Sequence, residues 1–135
     1  MEYTIKANSL SKNSGFIYIK QSEVEFGIVS ESAKILANPA EILLGALSSC
    51  ILKNVERFST FMHFDYSSAD IIITATRVDK PPRMDKINYE LTIYREDSNL
   101  NINLLKKNIE KFGTIFNTLN ASCQISGEIK VISKK

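Results

Sequence analysis

Two cysteines, Cys50 and Cys123, are the residues of this 135-residue chain whose types best suit chemistry. The thiolate is the nucleophile, and a free cysteine, with a pKa of about 8.5, is only a few per cent ionised at neutral pH. Cys50 falls near the middle of an expected helix, beyond the reach of a helix dipole that acts only in the terminal turns. A reactive Cys50 therefore needs a cation or hydrogen-bond donors brought from elsewhere in the fold, whereas a Cys50 packed among leucines is inert. Cys123 falls at the exit of a second expected helix, among small polar residues. Two readings stay open on this ground alone. In one, both thiols are small apolar groups in a core. In the other, adjacent helices bring the two Cα atoms within about 7 Å, a peroxide oxidises the first thiolate to a sulfenic acid, and the second thiol condenses with it to a disulfide.

Other side chains offer less. His63 is the only histidine, and its place after the first helix reads as a surface or helix-terminal role. One histidine and two distant cysteines do not have zinc-site spacing. Ser48 and Ser49 flank Cys50 without a histidine and acid pattern to activate them. Gly113 and Gly127 form no phosphate loop. Phe58, Phe61, Phe64 and Tyr66 cluster at the end of the first helix and read as core or interface packing rather than a pocket.

The elements that must position the cysteines are legible from pattern. Residues 3–8 and 15–29 alternate as short strands, with a hairpin turn at Gln21-Ser22. Residues 30–37 read as a loop with a short pairing near Ile35. Asn38, Pro39 and Glu41 then form an N-cap, a first helical residue and a capping-box partner. The helix they open runs to about Met62 and is apolar or small on nearly every side through Leu52, as a helix enclosed in a core or an oligomer interface would be. Residues 69–78 and a stretch around Ile87, Tyr89, Leu91 and Ile93 read as an antiparallel hairpin with a long tip at Lys80-Pro81-Pro82-Arg83. A second helix is expected over residues 101–119, with Gly113 inside it for a packing reason, and a last strand over 126–133. The order predicts one α+β domain over residues 1–135 with mostly antiparallel pairing.

Composition narrows the function class. Seventeen basic and fifteen acidic residues are interspersed, for a net charge of +2. No basic stripe or arginine cluster points to nucleic acid. The first residues lack the apolar core of a signal peptide, and the longest apolar stretch, residues 40–47, is too short to span a bilayer. The expectation is a cytoplasmic protein with reduced thiols and no membrane partner.

The stretch Asn38-Pro39-Ala40-Glu41-Ile42-Leu43-Leu44-Gly45-Ala46-Leu47-Ser48-Ser49-Cys50 resembles the signature helix of the OsmC/Ohr family, the osmotically induced and organic-hydroperoxide-resistance proteins. The strand pair around Pro81-Pro82 resembles that family too. So does Cys123-Gln124-Ile125-Ser126, which is similar to its C-P-V-S segment with Gln124 in place of proline. The resemblance implies antiparallel sheets wrapped around two long central helices in an intertwined homodimer. It implies a cysteine-based peroxidase that reduces organic hydroperoxides with no metal or bound cofactor, re-reduced by an external dithiol. Cys50 matches the peroxidatic position and Cys123 the resolving one, with Glu41 the nearest candidate for a catalytic carboxylate. Ala40 stands where the organic-hydroperoxide branch has its glutamate, and no arginine precedes Arg57. The chain is in these respects closer to the OsmC-like branch, for which a non-catalytic small-molecule-binding protein and a thiol redox sensor are the alternative functions.

Overall fold

The structure, a computed structural model, describes residues 1–97 and 99–133. The chain forms two compact units, Met1–Leu43 and the remainder from Leu44.

In the first unit, strands β1 (Lys6–Ser9), β2 (Ser14–Ile19) and β3 (Ser22–Gly27) form an antiparallel meander in that spatial order. The β2–β3 turn is one residue earlier than expected. Ile19 pairs with Ser22, so Lys20 and Gln21 make the turn, and Lys20 takes the positive φ (54°) that a two-residue hairpin favours. The expected loop contains a 3-10 turn, Ser32–Lys34, tied down by Ser32 Oγ, which accepts from the amides of Ile28 (3.2 Å) and Val29 (3.3 Å). The short pairing expected near Ile35 lies at Ala37, which bridges to Phe26. Gly15 is the only buried residue of this unit, while Tyr3, Ile5, Leu10, Ile28 and Ile35 are exposed.

Helix α1 spans Pro39–Phe61 and opens with the expected capping box. Asn38 Oδ1 accepts from the Glu41 amide (2.8 Å), and Glu41 Oε1 accepts from the Asn38 amide (3.0 Å), so two otherwise orphaned donors are satisfied reciprocally. The helix stops at His63, which adopts the left-handed conformation (φ 56°). The Phe64 amide donates to Ser59 O (2.9 Å) and the His63 amide to Thr60 O (3.3 Å), the paired bonds of a Schellman stop. His63 thus serves the helix terminus.

The second unit continues with β4 (Ser68–Asp79), β5 (Pro82–Arg95), α2 (Ile102–Phe112), α3 (Thr114–Asn120) and β6 (Gln124–Ser133). The β4–β5 tip is short rather than long. Asp79 pairs with Pro82, leaving Lys80 and Pro81 as the turn, and Pro82 is tolerated as the first residue of its strand. The sheet order is β4-β5-β6. Pairing is mostly antiparallel, as the element order predicts, but the antiparallel sheets implied by the resemblance need correction here: β6 runs parallel to β5. The physical reason is the connection, since α2 and α3 form the helical crossover that a parallel pair requires.

The second helix, expected over residues 101–119, is also corrected. Gly113 takes extended backbone angles (φ −77°, ψ 116°) and divides the expected helix into α2 and α3. Asn101 caps α2 by accepting from the Leu104 amide.

The core lies between the inward face of the β4-β5-β6 sheet and the helices. Ile87, Tyr89, Leu91 and Ile93 alternate inward along β5 and are essentially fully buried. They meet Leu47, Ile51, Val55 and Phe58 of α1, Leu105 and Ile109 of α2, Phe116 and Leu119 of α3, and Ile129 of β6. Each such side chain contributes about 1.5–3 kcal/mol on burial. Tyr89 lies across its β6 neighbour Gly127, where a Cβ would come 2.0 Å from the ring, so only glycine fits.

Tyr89 also couples the core to pH. Its hydroxyl donates to Glu110 Oε2 (2.6 Å), which Lys106 Nζ also reaches (2.9 Å). Burial, then this carboxylate, push the Tyr89 phenol far above its usual value of 10. Burial and the hydrogen bond to Glu56 push Tyr66 up to about 12. Both tyrosines ionise more readily in the unfolded chain, so their contribution to stability is full below pH 10 and is lost as pH rises toward and beyond 12. Chemical denaturation at a series of pH values is expected to show stability falling from about pH 10 upward. The fall should be shallower in Tyr89→Phe.

Candidate active site

Cys50 lies on the edge of the buried stripe of α1, and its side chain is neither fully buried nor fully exposed. The stripe is Leu47, Ile51, Asn54, Val55 and Phe58, at helical spacing. Asn54 is out of pattern. Among the described residues it is the only buried polar side chain, 8% exposed. Its Nδ2 donates to Cys50 O at 3.0 Å and lies 3.9 Å from Cys50 Sγ. Sequence reasoning missed this residue, although a signal was present: an amide one turn after a cysteine, at a position where the stripe calls for an apolar side chain.

The other wall at Cys50 comes from the helix break. A Cβ built on Gly113 would stand 3.2 Å from Cys50 Sγ, 3.1 Å from Phe116 Cβ and 3.0 Å from Ile109 O. The φ of Gly113 is accessible to any residue, so glycine is there for space. Farther along, Phe58 packs on Phe112 (5.8 Å between ring centres), and Asn108 Nδ2 reaches Met62 Sδ at 3.7 Å. As α1 advances from Cys50 to Met62, its neighbours step back from Gly113 to Asn108, so α1 and α2 lie side by side in opposite senses. Arg57 sits over the rings of Phe58, Phe61 and Phe112 at 5.5–5.8 Å.

Cys123 follows α3. Its amide donates to Leu119 O (2.8 Å), and its thiol donates to Met84 O (3.4 Å), a carbonyl of β5. Both cysteines are free. Gly113, where an added Cβ would crowd the Cys50 sulfur, and Cys123 stand at opposite ends of α3, whose seven residues rise about 10 Å. The structure therefore places both thiols on one helical framework but does not bring them into a bond. Glu41 is placed in the cap of α1.

No group of His, Cys, Asp and Glu among the described residues is arranged to hold a metal ion. A cleft of about 570 Å³ is lined by Asp65, Tyr66, Arg95 and Asp97 among others, and neither cysteine lines it. Among the described residues no helix is long and apolar enough to cross a membrane.

The sequence profile of the family described as OsmC-like protein matches residues 32–128, most of the chain and both cysteines. The chain belongs to that family. Solved structures agree on the fold of this OsmC-like chain. An OsmC-like protein from Mycoplasma pneumoniae is similar over 98% of both chains, at 17% identity and a TM-score of 0.86. An OsmC-like protein of unknown function from Vibrio cholerae is similar over 96% of this chain and 99% of its own, at 14% identity and a TM-score of 0.80. An organic hydroperoxide resistance protein OsmC from Legionella pneumophila, described as a predicted redox protein, is similar over 96% and 98%, at 12% identity and a TM-score of 0.72. Among curated protein sequences none matches this OsmC-like chain.

Proposed function

We propose that this OsmC-like protein is a thiol-dependent peroxidase for organic hydroperoxides, with Cys50 as the peroxidatic and Cys123 as the resolving cysteine. The observation that carries this reading is the setting of Cys50: a half-buried residue, its sulfur beside a glycine that leaves it room, with an amide donor one helical turn away. Hydroperoxide-resistance proteins among the structural relatives support it.

In the first step the Cys50 thiolate attacks the distal peroxide oxygen. An S–O bond forms, the O–O bond breaks, and the departing alkoxide takes a proton to leave as the alcohol. Sulfur loses two electrons and the peroxide gains them. In the second step the Cys123 thiolate attacks the Cys50 sulfenic sulfur, and the hydroxyl leaves with a proton as water. The resulting disulfide is returned to two thiols by an external dithiol through two exchanges. Gly113 and Cys123 stand at opposite ends of α3, so the second step is assigned a movement of α3, a seven-residue helix entered at a glycine.

The assembly is a homodimer acting in a reducing cytoplasm. The dimer is supported by large apolar side chains that the second unit leaves exposed: Phe61 on α1, Leu104 and Phe112 on α2, and Ile72 on β4. A second copy of α1 would provide the pair of long central helices, with residues 1–135 of each chain as one OsmC-like domain.

Consumption of cumene hydroperoxide with dithiothreitol as reductant tests the reading, wild type against Cys50→Ser. Glu41 is assigned to the helix cap rather than to the chemistry. Glutamine at this position keeps the reciprocal hydrogen bond while losing the charge. Glu41→Gln is therefore expected to leave both peroxide turnover and melting temperature close to wild type, whereas Asn38→Ala should cost about 1 kcal/mol of stability.

A further inference from the structure

We infer that Asn54 is the hydrogen-bond donor that holds the Cys50 sulfur in its thiolate form and steadies the oxidised sulfur after attack. The inference rests on the peroxidase reading and deepens it, by naming the group that activates the thiol in a chain with no arginine before Arg57.

Three observations carry it. Asn54 breaks the apolar stripe of α1, and a buried amide costs free energy unless its hydrogen bonds are made. Its Nδ2 is directed entirely at one residue, with Cys50 O at 3.0 Å and Cys50 Sγ at 3.9 Å. An amide nitrogen carries two hydrogens, so the bond to the carbonyl leaves one for the sulfur. At 3.9 Å the contact to sulfur is a long one, in keeping with the weak acceptor that a neutral thiol is. On ionisation the same contact becomes charge-assisted, roughly twice as strong as a neutral one, and favours the charged form.

Among the described residues, no charged side chain of α1 near Cys50, of the end of α2 or of α3 makes a hydrogen bond to the Cys50 sulfur. On α1, Lys53 is exposed, Glu56 accepts from Tyr66, and Arg57 lies over the aromatic rings. At the end of α2, Glu110 is engaged by Tyr89 and Lys106, and Lys111 lies over Phe112. The α3 segment, TIFNTLN, has no charged residue.

The test is the rate of Cys50 alkylation by iodoacetamide against pH, followed by peptide mass spectrometry, with Cys123 in the same molecule as internal standard. Asn54→Leu restores the apolar stripe and removes the donor. Asn54→Asp keeps the shape and replaces the donor with an acceptor-only carboxylate, a second route should the leucine variant fold poorly. In both, Cys50 alkylation at pH 7 is expected to slow by roughly tenfold or more, the scale of one hydrogen bond to a charged atom, and its midpoint should move to higher pH. The Cys123 rate should hold steady. A purely packing role for Asn54 would leave the Cys50 profile unchanged, and an unchanged profile in a folded variant overturns the inference. The two readings fail separately. If wild type does not consume peroxide, the peroxidase is lost while the alkylation result still reports on Asn54. If peroxide is consumed and both variants alkylate like wild type, only the donor role is lost.

Discussion

Cys50→Ser is expected to reduce cumene hydroperoxide consumption on the order of a thousandfold or more, the scale of losing a nucleophile outright. A serine hydroxyl at Asn54 and Gly113 would meet the same neighbours as the thiol, yet it is not ionised at neutral pH and lacks the reactivity of sulfur. Cys123→Ser should behave differently. Its Cys50 remains able to react once, so a burst of about one equivalent of peroxide per chain is expected, with steady turnover then lost or slowed. Without a resolving thiol, excess peroxide should carry Cys50 on to the sulfinic acid, a gain of two oxygens visible by mass spectrometry. In wild type under mild oxidation the same method should find an intramolecular Cys50–Cys123 disulfide. Equal, slow consumption by wild type and Cys50→Ser would defeat the peroxidase. Two free thiols after peroxide treatment of wild type would remove Cys123 from the cycle, and with it the movement of α3.

Gly113→Val is expected to have the next largest effect, and to act on reactivity and stability together. Even the Cβ would stand 3.2 Å from Cys50 Sγ and closer still to Phe116 Cβ and Ile109 O. All three neighbours belong to packed helices, so the methyls have nowhere to go without displacing the sulfur or opening the α2–α3 junction. Overpacking of this kind costs about 1–3 kcal/mol. Because Gly113 already holds extended angles, the β-branched residue suffers no backbone penalty that would confuse the result. Cys50 alkylation should fall steeply while Cys123, hydrogen-bonded to Met84 at the other end of α3, keeps its rate. Gly113→Ala should give a smaller change in the same direction. A wild-type alkylation rate in a destabilised Gly113→Val chain would show that the glycine serves packing alone and not access to the sulfur.

Much of the fold was legible because its signals are local. The capping box at Asn38 and Glu41, the alternation of Ile87, Tyr89, Leu91 and Ile93, and the apolar face of the second helical stretch depend on neighbours a few residues away. The misread features depend on partners distant along the chain or on the turn a single residue adopts. Lys20 rather than Ser22 sits in the β2–β3 turn because a lysine accepted a positive φ. The parallel β5–β6 pair follows from where α2 and α3 carry the chain, which side-chain alternation in the strands does not encode.

By itself the sequence determined that a cysteine would sit mid-helix on an apolar stripe, that a second would follow a later helical stretch, and that Gly113 within that stretch needed a packing reason. Helical periodicity and propensity are properties of short segments, so these conclusions required no knowledge of docking. Only the tertiary structure decided that Gly113 breaks the helix where a side chain would crowd Ile109, Phe116 and the sulfur of Cys50, that Asn54 spends its amide on Cys50, and that α3 stands between that glycine and Cys123. Which atoms meet across two packed helices depends on their relative shift and rotation, and those are set by the fit of many side chains at once.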